Sequence, residues 1–481
     1  MTQTRDPVEP ASDTVEREPD GGVLRRWLAL VALLGATFIG TINNSIVNVA
    51  VPSMSTDLGV PISTTVWVIS GFVIALGTLM PLAGKIGDMY GPRRVFLWGL
   101  LLFAVASLIV GSGSNIVVVI VGRLLQGAAG APVLPCVLAT ISRLFDPHER
   151  GRAVGAWAAV NSAALAAGPG IGGVILDNLG WRAIFYMTSP SILVVAGAVA
   201  MLVPKDLPSV PRRLDVVGAL LVAVALASFA IPITEGRTWG WTNPLTLALL
   251  IVCALTGVVL VRHLRRESEP FIDPALLRVS GYLAVTGIAS LQMIVLFSVT
   301  FSVPVFLVVT GQASAAMAGL ITSALPGSMV VGALVAGRLS GVVGFDHLAS
   351  LGGIGMLVGA VGVALSVPSW PPLVASMLIL GLGISLIQAP AANAVTGLAP
   401  PGQTGLAVGV FNTARFVLGG LGATLAAVVF TTISGTDTGP VGLEEGLRAV
   451  RVAMVVAVVP SFGVLLVARA LAQVEDLASD A

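Results

Sequence analysis

Carboxylates are missing from most of this chain. No Asp or Glu occurs between Asp57 and Asp88, between Glu149 and Asp177, or on either side of Asp346 from Asp273 to Asp437. Charged residues of both signs fill only 10% of 481 positions, against about 25% in a soluble domain. A hydrated charged surface cannot be built from so few, so a soluble globular protein is excluded. The two cysteines, Cys136 and Cys253, lie in separate apolar segments and read as packing residues rather than as a disulfide. Only three histidines occur, His148, His263 and His347, each near an expected helix end, so no metal cluster and no cofactor are expected. No Gly-x-x-x-x-Gly-Lys-Ser/Thr loop is present to cradle a nucleotide phosphate, which argues against ATP as a power source. With no catalytic constellation in view, an enzyme is not expected. The net charge of +1 gives no field for a nucleic-acid partner.

What the chain has in abundance is long apolar runs. The hydrophobic set makes up 56% of the residues and the mean hydropathy is +0.97. A spanning helix needs roughly 20 apolar residues, and fourteen segments meet or approach that length, from 27–52 to 446–470. Two of the divisions are placed at Gly311 and at Pro368–Pro372. The loops then alternate in charge, with seventeen Lys or Arg on one side and four (Arg182, Arg237, Arg448, Arg451) on the other. By the positive-inside rule both termini are cytoplasmic, in a multi-pass protein of the cytoplasmic (inner) membrane. The first 24 residues carry six acids and no basic start, so they read as a disordered tail and not as a signal peptide. Charge and proline at 204–213 and 262–280 isolate one helix pair. The expected organisation is a cytosolic tail over 1–26, a six-helix bundle over 27–203, a linker with two extra helices over 204–280, a second six-helix bundle over 281–470 and a cytosolic tail over 471–481.

The loop Gly84-Lys85-Ile86-Gly87-Asp88-Met89-Tyr90-Gly91-Pro92-Arg93-Arg94 is charged and punctuated by glycine between two apolar segments. It resembles the loop signature of the major facilitator superfamily, Gly-x-Leu-x-Asp-Arg-x-Gly-Arg-Lys, with Ile86 for leucine and Met89 for arginine. A second copy follows the second helix of the later half at Gly337-Arg338-Leu339-Ser340-Gly341, with Gly341 where Asp88 stands. Two six-helix halves around a central pair are similar to the fourteen-helix drug:proton antiporter family of that superfamily, over nearly all of 27–470. The resemblance implies an all-α membrane protein with the major facilitator fold, fourteen helices arranged six, two, six, and transport by alternating access. It also implies that Gly84, Asp88, Gly91, Arg93 and Arg94 form a conformational latch, with Asp88 facing the start of helix 13 near Gln403 and Thr404.

Helix 1 carries Asn43, Asn44 and Asn48, the last two on one face at i, i+4. Amides in a spanning helix either fasten it to its neighbours or line a wet cavity. Ile46 to Pro52 resembles the family's Ile-Val-Asn-Val-Ala-Leu-Pro, but Asn43 stands where the family has an acid. Helix 4 carries Arg123-Leu124-Leu125-Gln126-Gly127, similar to the family's Arg-x-x-Gln-Gly, and a guanidinium that deep marks function or a structural clamp. Gly168-Pro169-Gly170-Ile171-Gly172-Gly173 in helix 5 looks like the antiporter signature, with Gly168, Pro169, Gly172 and Gly173 giving close helix packing; helix 10 is its implied partner. Arg415 is a second buried cation candidate. Trp181-Arg182 and Leu214-Asp215-x-x-Gly218 also match the family and read as structural.

By resemblance the substrate cavity lies between helices 1, 4, 9 and 12, bringing together Asn43, Asn44, Asn48, Arg123, Gln126, Gln292 and Gln388. With Asn43 replacing the membrane acid, a coupling carboxylate is sought in Asp88, Asp177 or Glu235, all at helix ends. A cavity with cations and no acid should prefer neutral or anionic amphiphiles. The function expected is proton-coupled export of hydrophobic or amphiphilic small molecules by a monomer in the lipid bilayer. The rivals are a facilitator or uptake carrier without proton coupling, and a membrane sensor, which would need a soluble signalling domain larger than the tails.

Overall fold

In the computed structural model, residues 21–206, 214–267, 270–434 and 441–479 are described. Fourteen helices long and apolar enough to cross a bilayer run through them. In the N-terminal half these are α1 (Gly22–Leu58), α2 (Trp67–Tyr90), α3 (Pro92–Ser112), α4 (Ile116–Leu144), α5 (Pro147–Leu179) and α6 (Trp181–Leu202). The inserted pair is α7 (Val216–Ile233), whose helix continues to Trp239, and α8 (Pro244–Leu264). The C-terminal half holds α9 (Tyr282–Val309), α10 (Met317–Leu339), α11 (Phe345–Ser366), α12 (Trp370–Leu398), α13 (Thr404–Ser434) and α14 (Leu443–Leu471). Among the described residues there is no strand.

Helix ends differ from the sequence reading in two ways. Residues 21–26 and 471–479, assigned to the tails, continue the first and last helices; 1–20 and 480–481 lie outside the described residues, as do 207–213 and 268–269 of the linker. Pro52 does not end helix 1, which runs on to Leu58. Proline is also embedded in α2, α5, α6, α7, α9, α12 and α14. Lipid offers backbone groups no alternative partner, so a spanning helix bends at proline rather than ending there. The division at Gly311 does fall between helices; that at Pro368–Pro372 does so at Pro368, while α12 begins at Trp370 and takes Pro371 and Pro372 into its first turn.

An even number of crossings puts the start of α1 and the end of α14 on one side, which also carries most of the Lys and Arg; it is called the basic end, and its opposite the far end. The two halves meet along two seams, α2 against α13 and α5 against α10. At the basic end both seams are backbone-close. A Cβ on Gly84 would collide with the Gly405 carbonyl, and one on Gly155 would sit 2.6 Å from the Gly337 Cα. Towards the far end Gly319 and Gly327 of α10 have nothing within reach of a Cβ. The halves are therefore shut at the basic end and diverge at the far end along α5 and α10.

The inserted pair is tied on by the Leu-Asp-x-x-Gly motif. Asp215 caps α7 by accepting from the Gly218 backbone N–H at 2.7 Å, and any Cβ at position 218 would collide with that carboxylate. This explains the spacing of the two residues. Asp215 also accepts from Phe271 N at 3.0 Å and meets His263 Nε2 at 2.9 Å, joining α7, the end of α8 and the linker. Burial pushes the Asp215 carboxyl up, but the hydrogen bonds from Gly218, His263 and Phe271 outweigh it and hold it below the usual carboxylate range. A depressed pKa contributes stability above the unfolded value, roughly 3.9 for Asp, which is lost as pH falls through the folded value. Asp215→Asn should lower the melting temperature of the detergent-solubilised protein at neutral pH, and the gap to wild type should narrow below about pH 4. A gap independent of pH would show that the charge contributes nothing.

Candidate functional site

The polar centre of the N-terminal half is built on Arg123, two turns inside α4 and fully buried. Its Nε donates to the Val68 carbonyl on α2 at 2.8 Å. Nη1 donates to Asn43 Oδ1 at 3.1 Å and to Gln126 Oε1 at 2.6 Å, and Nη2 to Asn44 Oδ1 at 3.1 Å. The Phe72 ring lies 4.2 Å from the guanidinium carbon, a cation–π contact strengthened by the dry surroundings. The outer ring of partners is closed as well. Asn43 Nδ2 donates to Thr188 Oγ1 at 3.0 Å, and Gln126 Nε2 to Ser107 Oγ at 2.7 Å. Both hydroxyls then donate to carbonyls of their own helices. Among the described residues no carboxylate contacts the guanidinium; oriented neutral dipoles surround it.

The Arg-x-x-Gln-Gly spacing follows from this geometry. Gln126 sits one turn from Arg123 and supplies an acceptor, while a Cβ on Gly127 would collide with the Phe72 carbonyl. Glycine thus lets α2 approach near enough to offer both Val68 and Phe72. On α1, Asn43 and Asn44 are adjacent yet both reach Arg123. Thr41, Asn44 and Asn48 share a face at i, i+3, i+7 that is partly or fully accessible, and Thr41 Oγ1 donates to Asn161 Oδ1 on α5 at 2.8 Å. Asn44 is therefore the one of the two asparagines on the buried cation that stays partly accessible. Asn48, exposed, takes no part in the clamp.

Gly168 and Gly172 pack on α1, correcting the partner inferred from resemblance. A Cβ on Gly168 would collide with Ser45, and one on Gly172 would lie 2.9 Å from the Ile46 Cγ2. Helix α10 meets the other end of α5 instead, through Gly151 and Gly155. Pro169 has no N–H to give the Leu165 carbonyl one turn back, and Ser45 Oγ donates to that carbonyl at 3.1 Å. The proline frees an acceptor, the glycines clear the approach, and α1 is seated with the two asparagines against Arg123. A Cβ on Gly173 would meet no described residue within 4 Å.

The C-terminal half is less complete. Arg415 on α13 is buried, with Nη1 donating to Asn412 Oδ1 at 3.0 Å and the Phe411 ring 5.0 Å away. Among the described residues its Nε and Nη2 have no acceptor, nor has either amide atom of buried Gln292 on α9 a partner, and Gln388 on α12 leaves Oε1 unpaired. These three do not join the Arg123 network.

The loop expected to act as one latch is two contacts. Asp88 accepts from the first free amides of α13, Gly405 N and Leu406 N, both at 2.8 Å, the helix-terminus geometry that attracts a carboxylate. Gly84 makes the same seam close. Gly91, Arg93 and Arg94 face elsewhere: Arg93 N and Arg94 N donate to Asp206, after α6, at 3.1 and 2.9 Å. Gly91, at φ 97°, has no side chain to block Asp206. Of the other acids considered, Asp177 is exposed at the end of α5. Glu235 is buried on the α7 continuation and accepts a hydrogen bond from Ser70 of α2, while Trp239 stacks on Trp67 at 5.9 Å. The sequence reading missed Asp206 and Ser45 as partners, and also Asp57, which binds Trp181 Nε1 at 3.1 Å and Arg182. A lone acid near a helix end gives no sign of which distant helix it will meet.

Removing an acceptor from a buried guanidinium costs about 1–3 kcal/mol. Asn43→Leu should lower the melting temperature clearly, whereas Asn43→Asp, which keeps an acceptor at the same place, should hold it near wild type; thermal unfolding in detergent checks both.

The family model of the Major Facilitator Superfamily matches residues 33–423, and a second match covers 285–476. The puromycin resistance protein pur8 of Streptomyces alboniger is 31% identical, covering 94% of this chain and 91% of its own. The tetracenomycin C resistance and export protein of Streptomyces glaucescens is 29% identical, covering 90% and 80%. Among solved structures, the human organic anion transporter MFSD10 (TETRAN) superposes with a TM-score of 0.66 at 15% identity, covering 93% of this chain and 100% of its own, a likeness of fold. The fourteen helices in two seamed halves agree with these matches: the chain belongs to the Major Facilitator Superfamily, a family of non-enzymatic membrane transporters.

Proposed function

We propose that the protein exports hydrophobic or amphiphilic small molecules across the cytoplasmic membrane by alternating access, as a monomer with its basic end in the cytoplasm. The observation that carries this reading is the pair of seams shut at the basic end around a polar α1 face that reaches open space. A carrier needs such a face to be exposed to one side at a time. The outward direction rests on the names of the relatives, which describe resistance and export. The substrate cavity is the space bordered by Asn44 and Asn48, with Asn43, Arg123 and Gln126 shaping it from beneath and Gln292 and Gln388 facing from the other half.

Proton coupling is assigned to Glu235. Asp177 is exposed, and Asp88 is committed to the α13 terminus. Glu235 alone of the three is buried by the far end of the opposing seam, where α7 lies between α2 and α13. Protonation would remove its charge from that dry contact and deprotonation would restore it, so proton binding and far-end closure are linked. Asp88 acts as the latch of the shut basic end. With two arginines and no acid inside, the cavity selects neutral or anionic amphiphiles over lipophilic cations. A carrier without coupling is the rival that the all-neutral Arg123 shell favours.

Proteoliposomes with an imposed pH gradient separate these readings, using a panel of neutral, anionic and cationic amphiphiles that includes puromycin and ethidium. Wild type should show gradient-driven flux of the neutral and anionic members and little ethidium efflux. Glu235→Gln should lose the gradient dependence while keeping counterflow, and Asp88→Asn should lose both with normal expression. Undiminished coupling in Glu235→Gln would remove Glu235 from the mechanism, and no counterflow in wild type would remove the carrier itself.

A further inference from the structure

A cleft of about 500 Å³ opens on the outer flank of the N-terminal half, away from the space between the halves. It is lined by Arg93, Arg94, Leu97, Trp98 and Leu101 of α3 and by Lys205 and Asp206 beyond the end of α6. The residues are graded along α3. The arginines occupy its first turn at the basic end; Leu97 and Trp98 come one turn deeper and Leu101 another, roughly 12 Å along the axis from Arg93 at 1.5 Å per residue. The apolar strip goes on beyond the cleft as exposed Leu102 and Val105. Trp98 is 62% exposed, at the level where an indole bridges headgroups and hydrocarbon.

Among the described residues lining the cleft the charge is positive, because the one acid there, Asp206, is already occupied. Asp206 accepts from Arg93 N and Arg94 N and has Arg143 Nη1 at 3.9 Å. Arg93 Nη2 donates to the Ala200 carbonyl at 2.6 Å, anchoring the side chain against the end of α6, while its buried Nε has no acceptor among the described residues. Arg94 and Lys205 are exposed. An anchored arginine with a spare donor, two further cations, and an apolar trough running from them into the bilayer match one ligand shape: an anionic head joined to acyl chains.

We infer that this cleft binds the phosphate-bearing headgroup of an anionic membrane lipid, with the phosphate among Arg93, Arg94 and Lys205 and an acyl chain along Trp98 and Leu101. A free phosphate would use the cations and leave the trough bare; a zwitterionic lipid would bring a second cation into a positive site. The loop holding Arg93 is the one whose Asp88 reaches α13, five residues away, so a bound lipid steadies the near side of that contact.

The test uses the full chain in detergent with three probes: dioleoylphosphatidylglycerol, dioleoylphosphatidylcholine and inorganic phosphate. Native mass spectrometry and thermal unfolding should both register the phosphatidylglycerol, with weaker effects from the other two. The Arg94→Ala/Lys205→Ala variant changes exposed side chains only and should melt like wild type without lipid. It should bind phosphatidylglycerol at least about fivefold more weakly, while Arg266→Ala elsewhere on the basic end should bind as wild type does. Equal binding of the two lipids, an equal shift from inorganic phosphate, or undiminished binding by the double variant would each overturn the assignment.

Discussion

A guanidinium enclosed by neutral groups is the constraint on which the N-terminal half depends. Placing a cation within a bilayer-spanning bundle is costly unless its donors are met. Around Arg123 the acceptors come from three helices: Val68 on α2, Asn43 and Asn44 on α1, Gln126 on α4 itself. Shifting any of these helices by a turn would leave a charged donor bare. The arginine therefore fixes the mutual register of α1, α2 and α4, and the glycines and the proline of α5 hold α1 in that register from behind. A site of this kind is rigid on its buried side and open only at Asn44.

The two seams reach closure by different chemistry. Along α2 and α13 the basic end is joined by a carboxylate on a helix terminus, with Gly84 and Gly405 in backbone contact. Along α5 and α10 the same end is joined by glycine on glycine, and the second copy of the loop has Gly341 where the first has its acid. One seam can be loosened by an electrostatic change and the other only by separating two surfaces. The repeated loop gives close backbone contact at both seams and a carboxylate at only one of them.

Much of the architecture was legible in the residues. Long apolar runs, alternating loop charge and the two proline-rich interruptions specify fourteen helices and an inserted pair, because lipid enforces length and polarity on every segment. The contact of Asp88 with α13 was also foreseen, through resemblance. What could not be read was which surfaces meet. Away from the few polar positions of α1 and α4 the helices are apolar on every side, so their sequences carry little facing information, and nothing in Gly168 or Gly172 says whether α10 or α1 lies opposite. The grouping of Arg93 and Arg94 with Asp88 failed for a related reason: residues adjacent in a tight turn point apart, and Asp206, which draws the arginine amides, lies more than a hundred residues away.

The inserted pair has a mechanical consequence. Ile233 gives its carbonyl to Thr424 Oγ1 of α13 at 2.7 Å, and Glu235, two residues on, is bonded to Ser70 of α2. One turn of helix thus acts as a crossbar pinned to both halves, with α8 trailing behind it on the lipid side. A change in the far-end separation of α2 and α13 must unpin one end or drag the pair sideways through the bilayer. Lateral pressure in the membrane then acts on the spacing of the two halves through two helices that belong to neither six-helix bundle.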